Sequence, residues 1–192
     1  PFAKPTHAYF HMPLWWAEVW AGLFLLAIAL FFGRAQGTHG LRRGLRSRWW
    51  DGGLFSAAAG WFCWRVAHLQ EADFGDHKGA ILVGAVALWL ASFRFIPDFL
   101  GVRGAALLVL LAASPLLEAA YMEPYQSRLF LVTGVYFFIL LGLYWAVAPY
   151  RMRDFLEWLG ARKRRMRTLA ALSGLYGVLL LGCAWVAKTG CS

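Results

Sequence analysis

Apolar residues in this chain gather into six long blocks, which short polar segments separate. A helix that crosses a bilayer needs about 20 mostly apolar residues, within a range of about 17–25. Membrane strands would instead alternate apolar and polar positions over about 10 residues, and these blocks do not alternate. The pattern predicts an all-α polytopic membrane protein, with one transmembrane domain over 1–192 and spans at about 13–33, 54–69, 79–93, 104–121, 129–148 and 168–187.

The composition agrees with a membrane protein. The chain is 60% hydrophobic and 15% charged, whereas soluble proteins carry about 45–50% apolar and about 25% charged residues. The six blocks and their short loops use up these residues, so we expect no separate soluble domain within them.

Basic residues are concentrated in alternate loops, and this pattern predicts the orientation. Loops 34–53, 94–103 and 149–167 hold five, two and seven Lys and Arg residues, which is 14 of the 19 in the chain. Loops rich in Lys and Arg stay on the cytoplasmic side of a membrane. Six transmembrane helices would form three hairpins with these loops inside and both termini outside. We expect an integral protein of a bacterial inner membrane.

The second block is less apolar than the others, because it contains Arg65 and His68. Without it, the loops 34–53 and 149–167 would fall on opposite sides of the membrane. The two loops richest in Lys and Arg would then not both lie on the cytoplasmic side, as the positive-inside rule requires. The charge pattern therefore favours a sixth span at this block.

The inner loops also carry amphipathic patterns. In loop 149–167, apolar residues recur at helical spacing: Met152, Phe155, Leu156 and Leu159. Short helices of this kind lie along the headgroup layer, so we expect them on the cytoplasmic side. The residues predicted to contact lipid or a partner there are Arg42, Arg43, Arg46, Arg48, Arg151, Arg153, Phe155, Trp158, Arg164 and Arg165.

The formal net charge of +9 bears on the partners. A soluble protein with this charge would suggest nucleic acid. Here the basic residues flank apolar spans, so we expect anionic lipid headgroups and other membrane subunits as partners, and no nucleic acid.

Ionisable residues inside spans are the candidates for a functional site, since each costs about 2.5–3.5 kcal/mol at the bilayer centre. There are four of them, all in the predicted outer half: Glu18, Arg65, His68 and Glu118. A pair between Arg65 and either glutamate would relieve both charges. The cluster is read either as a packing bridge or as a proton, ion or quinone-headgroup site.

Other chemistries find little support. A haem held by two histidines is not expected, because His68 is the one histidine within a predicted span. His7 and His11 lack a third metal ligand, and Ser173 lacks a histidine partner in a neighbouring span. We predict no catalytic residue and no metal site. The sequence does not indicate which cofactor, if any, is bound.

Small residues mark two faces where helices could approach closely. One lies on the third span and the other on the sixth: Ala80, Gly84, Ala87 and Ala91, and Ala170, Gly174, Gly177 and Ala184. These faces favour a non-catalytic integral membrane subunit or scaffold, which packs against other helices, lipids or pigments. The alternatives are a small ion- or proton-coupled transporter or channel that uses the polar cluster, and a quinone-interacting subunit of a membrane oxidoreductase.

Overall fold

The computed structural model describes residues 12–34, 48–68, 77–95, 100–121, 123 and 125–189, without the side chains of 48–51. This part of the chain contains no strand and seven helices: α1 Leu14–Arg34, α2 Arg48–Ala67, α3 Lys78–Phe95, α4 Leu100–Ala120, α5 Arg128–Val147, α6 Pro149–Gly160 and α7 Lys163–Thr189. The all-α prediction is confirmed for the described residues.

Five of the described helices are long and apolar enough to cross a membrane, by length and composition: α1, α3, α4, α5 and α7. The remaining long helix, α2, has 20 residues but includes Arg48, Asp51 and Arg65. At about 1.5 Å per residue, 20 residues reach about 30 Å, the thickness of the hydrocarbon core. The helix α2 is therefore long enough to cross a membrane. Its charged residues alone set it apart from the five apolar helices.

The helices α1 and α7 form an antiparallel pair. At one end, the Lys188 ammonium lies 5.4 Å from the centre of the Trp15 ring. At the other, a Cβ on Gly33 would lie 4.0 Å from the Cβ of Ala170. In an antiparallel pair, the numbers of two contacting residues add up to a constant. They add up to the same total in both of these pairs, so the register of α1 against α7 is the same at both ends.

The small residues predicted to line one face of the last span lie in this contact. A Cβ on Gly174 would be 3.4 Å from the Cβ of Ala29, and one on Gly177 would be 3.0 Å from the carbonyl oxygen of Gly22. Ala184 is buried in the same helix. Small side chains here let the two backbones approach closely.

The helices α2 and α4 run parallel. Arg65 bonds to Ser114, 49 residues later, and Gly104 packs on the backbone of Phe55, which is equally far away in sequence. The constant offset means that both helices advance in the same direction.

The helix α3 packs on the other side of α2 and runs antiparallel to it. The Trp89 indole Nε1 donates to Ser56 Oγ at 3.3 Å, and the rings of Phe93 and Phe55 meet edge to face at 6.1 Å. The later residue of α3 thus meets the earlier residue of α2.

The helices α4 and α5 are joined by a short connection and pack as an antiparallel pair, with Gly142 against the Ala106 carbonyl. The rings of Phe24 and Phe138 place α1 beside α5, with centres 5.9 Å apart. Glu18 of α1 faces Ser127, at the start of α5, so α1 and α5 run parallel. Together these pairs show that consecutive long helices alternate in direction.

The main apolar core lies between α1, α4, α5 and α7, with Leu25, Leu131 and Leu180 among its buried side chains. Large apolar side chains on the outside of the bundle are exposed, as expected for helices that face lipid. The bundle end that holds the start of α1 and the ends of α4 and α7 is called the outer end below, after its predicted side.

Candidate functional site

A polar bridge joins α2 to α4 near the outer end. The Arg65 Nη2 donates to Ser114 Oγ at 2.8 Å. The Ser114 hydroxyl in turn donates to Glu118 Oε1 at 2.8 Å, and the Arg65 Nη2 lies 3.8 Å from the same oxygen. Of the two pairings that the sequence allows for Arg65, the structure forms the one with Glu118, through a serine.

This bridge lies at the helix ends and is partly exposed. Both charged residues are in the last turn of their helices, and the side chains of Arg65 and Glu118 are 36% and 55% exposed. Exposed ion pairs contribute about 0.2–1 kcal/mol, because water screens them. The bridge therefore holds the ends of α2 and α4 together without placing a charge in the apolar core.

His68 follows α2 directly and stays close to it. Its Nδ1 lies 2.8 Å from the carbonyl oxygen of Trp64, and the two rings are 4.8 Å apart between centres. His68 and Trp64 therefore share one face of the last turn, as their spacing predicts.

Glu18 has a different environment from the other three residues. Its side chain is completely buried, at 0% exposure, within the second turn of α1. It faces Ser127 at the start of α5 and Cys183 of α7. Neither carboxyl oxygen has a hydrogen-bond partner among the described residues, and the same holds for the Ser127 hydroxyl. The structure therefore divides the predicted cluster into a partly exposed bridge and an isolated buried carboxyl.

The two sites differ in energy as well as in place. A single ion that is buried without a partner costs several kcal/mol, whereas a neutral polar group left unbonded costs about 1–3 kcal/mol. The positive end of α5, which begins next to Ser127, offsets at most about 2 kcal/mol of that cost. The burial of Glu18 therefore costs the fold more free energy than the placement of Glu118 at a helix end.

Sequence reasoning identified Glu18 but not its surroundings. Ser127 and Cys183 are 109 and 165 positions away along the chain. Nothing in the local pattern links these residues, since their proximity arises from three helices that meet. Only Glu18 carried a signal, as an acidic residue within an apolar block.

The opposite end of the bundle carries a partly exposed row of three aromatic rings and one arginine, which we call the inner aromatic ledge: Trp145, Phe155, Trp158 and Arg165. The rings of Phe155 and Trp158 stack with centres 6.1 Å apart, and Trp145 lies 6.4 Å from Phe155. The guanidinium of Arg165 lies 4.1 Å over the Trp158 ring, and its Nη1 donates to the Trp158 carbonyl at 2.9 Å. Arg165 thus ties the end of α6 to the start of α7.

The amphipathic pattern of loop 149–167 forms a helix, α6, but its apolar side chains divide between two surroundings. Leu159 is buried against Met166 and Phe32, whereas Phe155 remains 37% exposed and Trp158 53% exposed. The expectation that this apolar face lies wholly along headgroups is therefore too simple. Part of it docks on the bundle, because the short connection to α7 holds α6 against the helix ends.

The other predicted contact residues are placed as follows. Arg153 pairs with Glu157 at 3.3 Å, one turn along α6. The guanidinium of Arg151 lies 5.8 Å over the ring of Tyr150, and this tyrosine raises the pKa of Arg151 above its usual value. Arg164 is exposed at the start of α7. Arg42, Arg43 and Arg46 lie outside the described residues, and Arg48 is the first residue of α2, with its side chain not described.

Within the described ranges, no three His, Cys, Asp or Glu side chains come together as a metal site would require. No known protein family, no curated protein and no solved structure matches this chain.

Proposed function

We propose that this protein is a non-catalytic integral membrane subunit or scaffold, which packs through α3 against a helix of another membrane protein. The observation that supports this is the face of α3 that carries Ala80, Gly84 and Ala87. This face is exposed, although its residue types suit close helix packing.

The α3 helix is peripheral. None of its residues is buried, and its packing within the described bundle is mainly against α2. A Cβ placed on Gly84 would meet nothing within 4 Å. Along the same helix, apolar residues line a shallow groove of about 390 Å³: Leu82, Val83, Val86, Ala87 and Leu90.

A comparison within the molecule supports an interface at this face. On α7, residues of the same small type, such as Gly174 and Gly177, contact the backbone or side chains of α1. Lipid tails are as apolar as leucine, so lipid contact alone does not require glycine and alanine on a span. We propose that the small residues of α3 serve a partner helix in the way that those of α7 serve α1.

We also propose that the chain crosses the membrane six times, with α2 as one of the crossings. The antiparallel packing of α1 and α7 supports this, because two antiparallel spans must have an even number of crossings between them. The helices α3, α4 and α5 alone would give an odd number, and α2 makes it even. The length of α2 and its contacts with α3 and α4 agree with this count.

This arrangement forms three hairpins whose basic loops share one end of the bundle. We propose that this end faces the cytoplasm of a bacterial cell and that both termini lie outside the inner membrane. The inner aromatic ledge would then lie at the cytoplasmic headgroup layer. Exposed Phe155 and Trp158 beside arginines suit contact with anionic lipid there.

The subunit proposal is tested with two matched glycine substitutions. A Cβ on Gly84 of α3 or on Gly182 of α7 would meet nothing within 4 Å, so leucine at either place should leave the chain itself folded. After extraction in mild detergent, native mass spectrometry should show the wild-type chain bound to a second polypeptide in fixed ratio. We expect Gly84→Leu to release the lone chain, whereas Gly182→Leu keeps the assembly.

A wild-type chain that is monomeric in mild detergent would contradict the proposal if it also forms no protein cross-link from position 84 in intact membranes. Equal loss of the assembly in both variants would also count against α3 as the contact. Thermal unfolding of both variants in detergent provides the control for folding.

A second candidate is a small proton-coupled transporter, which the buried and unpaired carboxyl of Glu18 favours. Purified protein in liposomes would then carry protons, and Glu18→Gln would abolish the flux while Glu118→Gln would not. Liposomes that remain tight to protons in the presence of wild-type protein would count against this candidate.

A further inference from the structure

The carboxyl of Glu18 combines complete burial with a lack of hydrogen bonds. Its side chain has 0% exposure, and both oxygens lack a partner among the described residues. Ser127 faces the carboxyl, yet the hydroxyl of Ser127 is itself buried and unbonded. Two buried polar groups thus lie close together with no hydrogen bond of good geometry among the described residues, although buried polar groups in folded proteins are normally paired.

No cation among the described residues forms a hydrogen bond with Glu18. Cys183 faces it from α7, and Glu118 of α4 is engaged with Ser114. Two cations lie on the neighbouring helices: Lys188, whose ammonium is over the Trp15 ring, and Arg128, which follows Ser127. Neither cation forms a hydrogen bond with the Glu18 oxygens in the described part of the chain.

The hydrogen bonds that Glu18 and Ser127 can form together differ between the ionised and the protonated state of the Glu18 carboxyl. An ionised carboxylate only accepts, and Ser127 has a single O–H, so at least one carboxylate oxygen would remain bare and charged. A protonated carboxyl has an O–H of its own, which the Ser127 oxygen can accept. The protonated form leaves no buried charge, and burial without a partner favours the neutral state of an acid.

We propose that Glu18 and Ser127 form a proton-binding site, in which the Glu18 carboxyl holds a proton at neutral pH and donates it in a hydrogen bond to Ser127 Oγ. Glu118, which lies near the same end of the bundle, pairs with Arg65 instead. The two glutamates of the predicted cluster therefore have different surroundings. This inference is independent of the proposed role as a subunit.

Infrared spectroscopy of the full chain in lipid nanodiscs at neutral pH tests the proposal. The carbonyl stretch of a protonated carboxylic acid is separate from the bands of a carboxylate. We expect the difference spectrum of wild type minus Glu18→Gln to contain the acid band, which shifts on exchange into heavy water. The matched control, Glu118→Gln, should leave the acid band in place. An acid band that persists in Glu18→Gln, or a loss of carboxylate bands in that variant, overturns the proposal.

Ser127→Ala tests the hydrogen bond separately. The acid band should remain but move to higher frequency, because the O–H loses its acceptor. An unchanged frequency would overturn the role of Ser127.

A second measurement covers the case in which Glu18→Gln does not fold. A hydrophobic carbodiimide modifies protonated carboxyls within membranes, and peptide mass spectrometry locates the adduct on the wild-type chain. We expect the adduct on Glu18 and not on Glu118. A Glu18 peptide that stays unmodified overturns the proposal.

Discussion

Gly22 and Gly177 bring α1 and α7 into backbone contact, and the relationship is reciprocal. A Cβ on Gly22 would lie 3.0 Å from the carbonyl oxygen of Gly177, and a Cβ on Gly177 would lie 3.0 Å from the carbonyl oxygen of Gly22. The side chain of Leu181 lies against the same position, with its Cγ 2.9 Å from where a Cβ on Gly22 would be. The close approach positions the rest of the pair, including the part of α1 that carries Glu18.

Replacing Gly22 with valine should therefore separate α1 from α7. Overpacking of this kind costs about 1–3 kcal/mol. Here the obstacles are the Leu181 side chain at 2.9 Å and the backbone carbonyl of Gly177 at 3.0 Å, and the carbonyl cannot rotate away. We expect reduced stability to thermal unfolding in detergent. Gly182→Val is the control, since a Cβ there meets nothing within 4 Å. Equal destabilisation by the two variants would show that the α1–α7 contact is not the cause.

Gly104 is the corresponding position between α2 and α4. A Cβ there would lie 2.6 Å from the backbone nitrogen of Phe55, so even alanine requires the helices to move apart. We expect Gly104→Ala to destabilise at or above the upper end of about 1–3 kcal/mol. Alanine at Gly142 meets only ordinary contacts, from 3.5 Å, and should be neutral or slightly stabilising because alanine favours helix. The prediction fails if both variants unfold at the same temperature.

Truncation of two neighbouring residues on α6 should change the free energy of unfolding by very different amounts. Leu159 is 2% exposed, and removal of a buried leucine side chain costs about 2–5 kcal/mol. Trp158 is 53% exposed, so Trp158→Ala should change the free energy of unfolding by only about 0.5 kcal/mol. Chemical denaturation in mixed micelles would measure both. A larger effect of Trp158→Ala would mean that the ledge, not the buried side of α6, holds this helix in place.

The crossing by α2 is tested through His77, which lies just before α3. Six crossings place His77 and Glu123 on the outer side and Arg164 on the inner side. In a chain without native cysteines, His77→Cys and Glu123→Cys should react with an impermeant thiol reagent added to intact cells. Arg164→Cys should react only after the membrane is opened. Labelling of His77→Cys only in opened cells would show that α2 does not cross.

The sequence identified the helical character of the chain and most of its spans, because a hydrocarbon solvent demands long apolar runs with internally bonded backbones. It was weaker at α2, where Arg65 lowers the apolar character and only the charges of distant loops favoured a span. It also placed Glu18 and Arg65 in one cluster. The sequence indicates how deep a residue lies in the membrane, through its distance from the ends of its span. It does not indicate which side of the bundle the residue occupies.

The amphipathic prediction for α6 was correct in period and incomplete in surroundings. Spacing places Phe155 and Leu159 on one face of a helix. Which of the two is covered depends on where the helix ends relative to α1 and α7, and Met166 of α7 buries Leu159 but not Phe155.

The order of apolar segments alone determined that this protein consists of long apolar helices suited to a membrane, because solvent transfer acts on each residue locally. The tertiary structure decided which helices are neighbours. It thereby decided that Arg65 bonds to Ser114 and pairs with Glu118, and that Glu18 is enclosed with no hydrogen-bond partner among the described residues. Those pairings follow from the close contact of glycines such as Gly22 and Gly104 with backbones far away in sequence, and such contacts exist only once the helices have assembled.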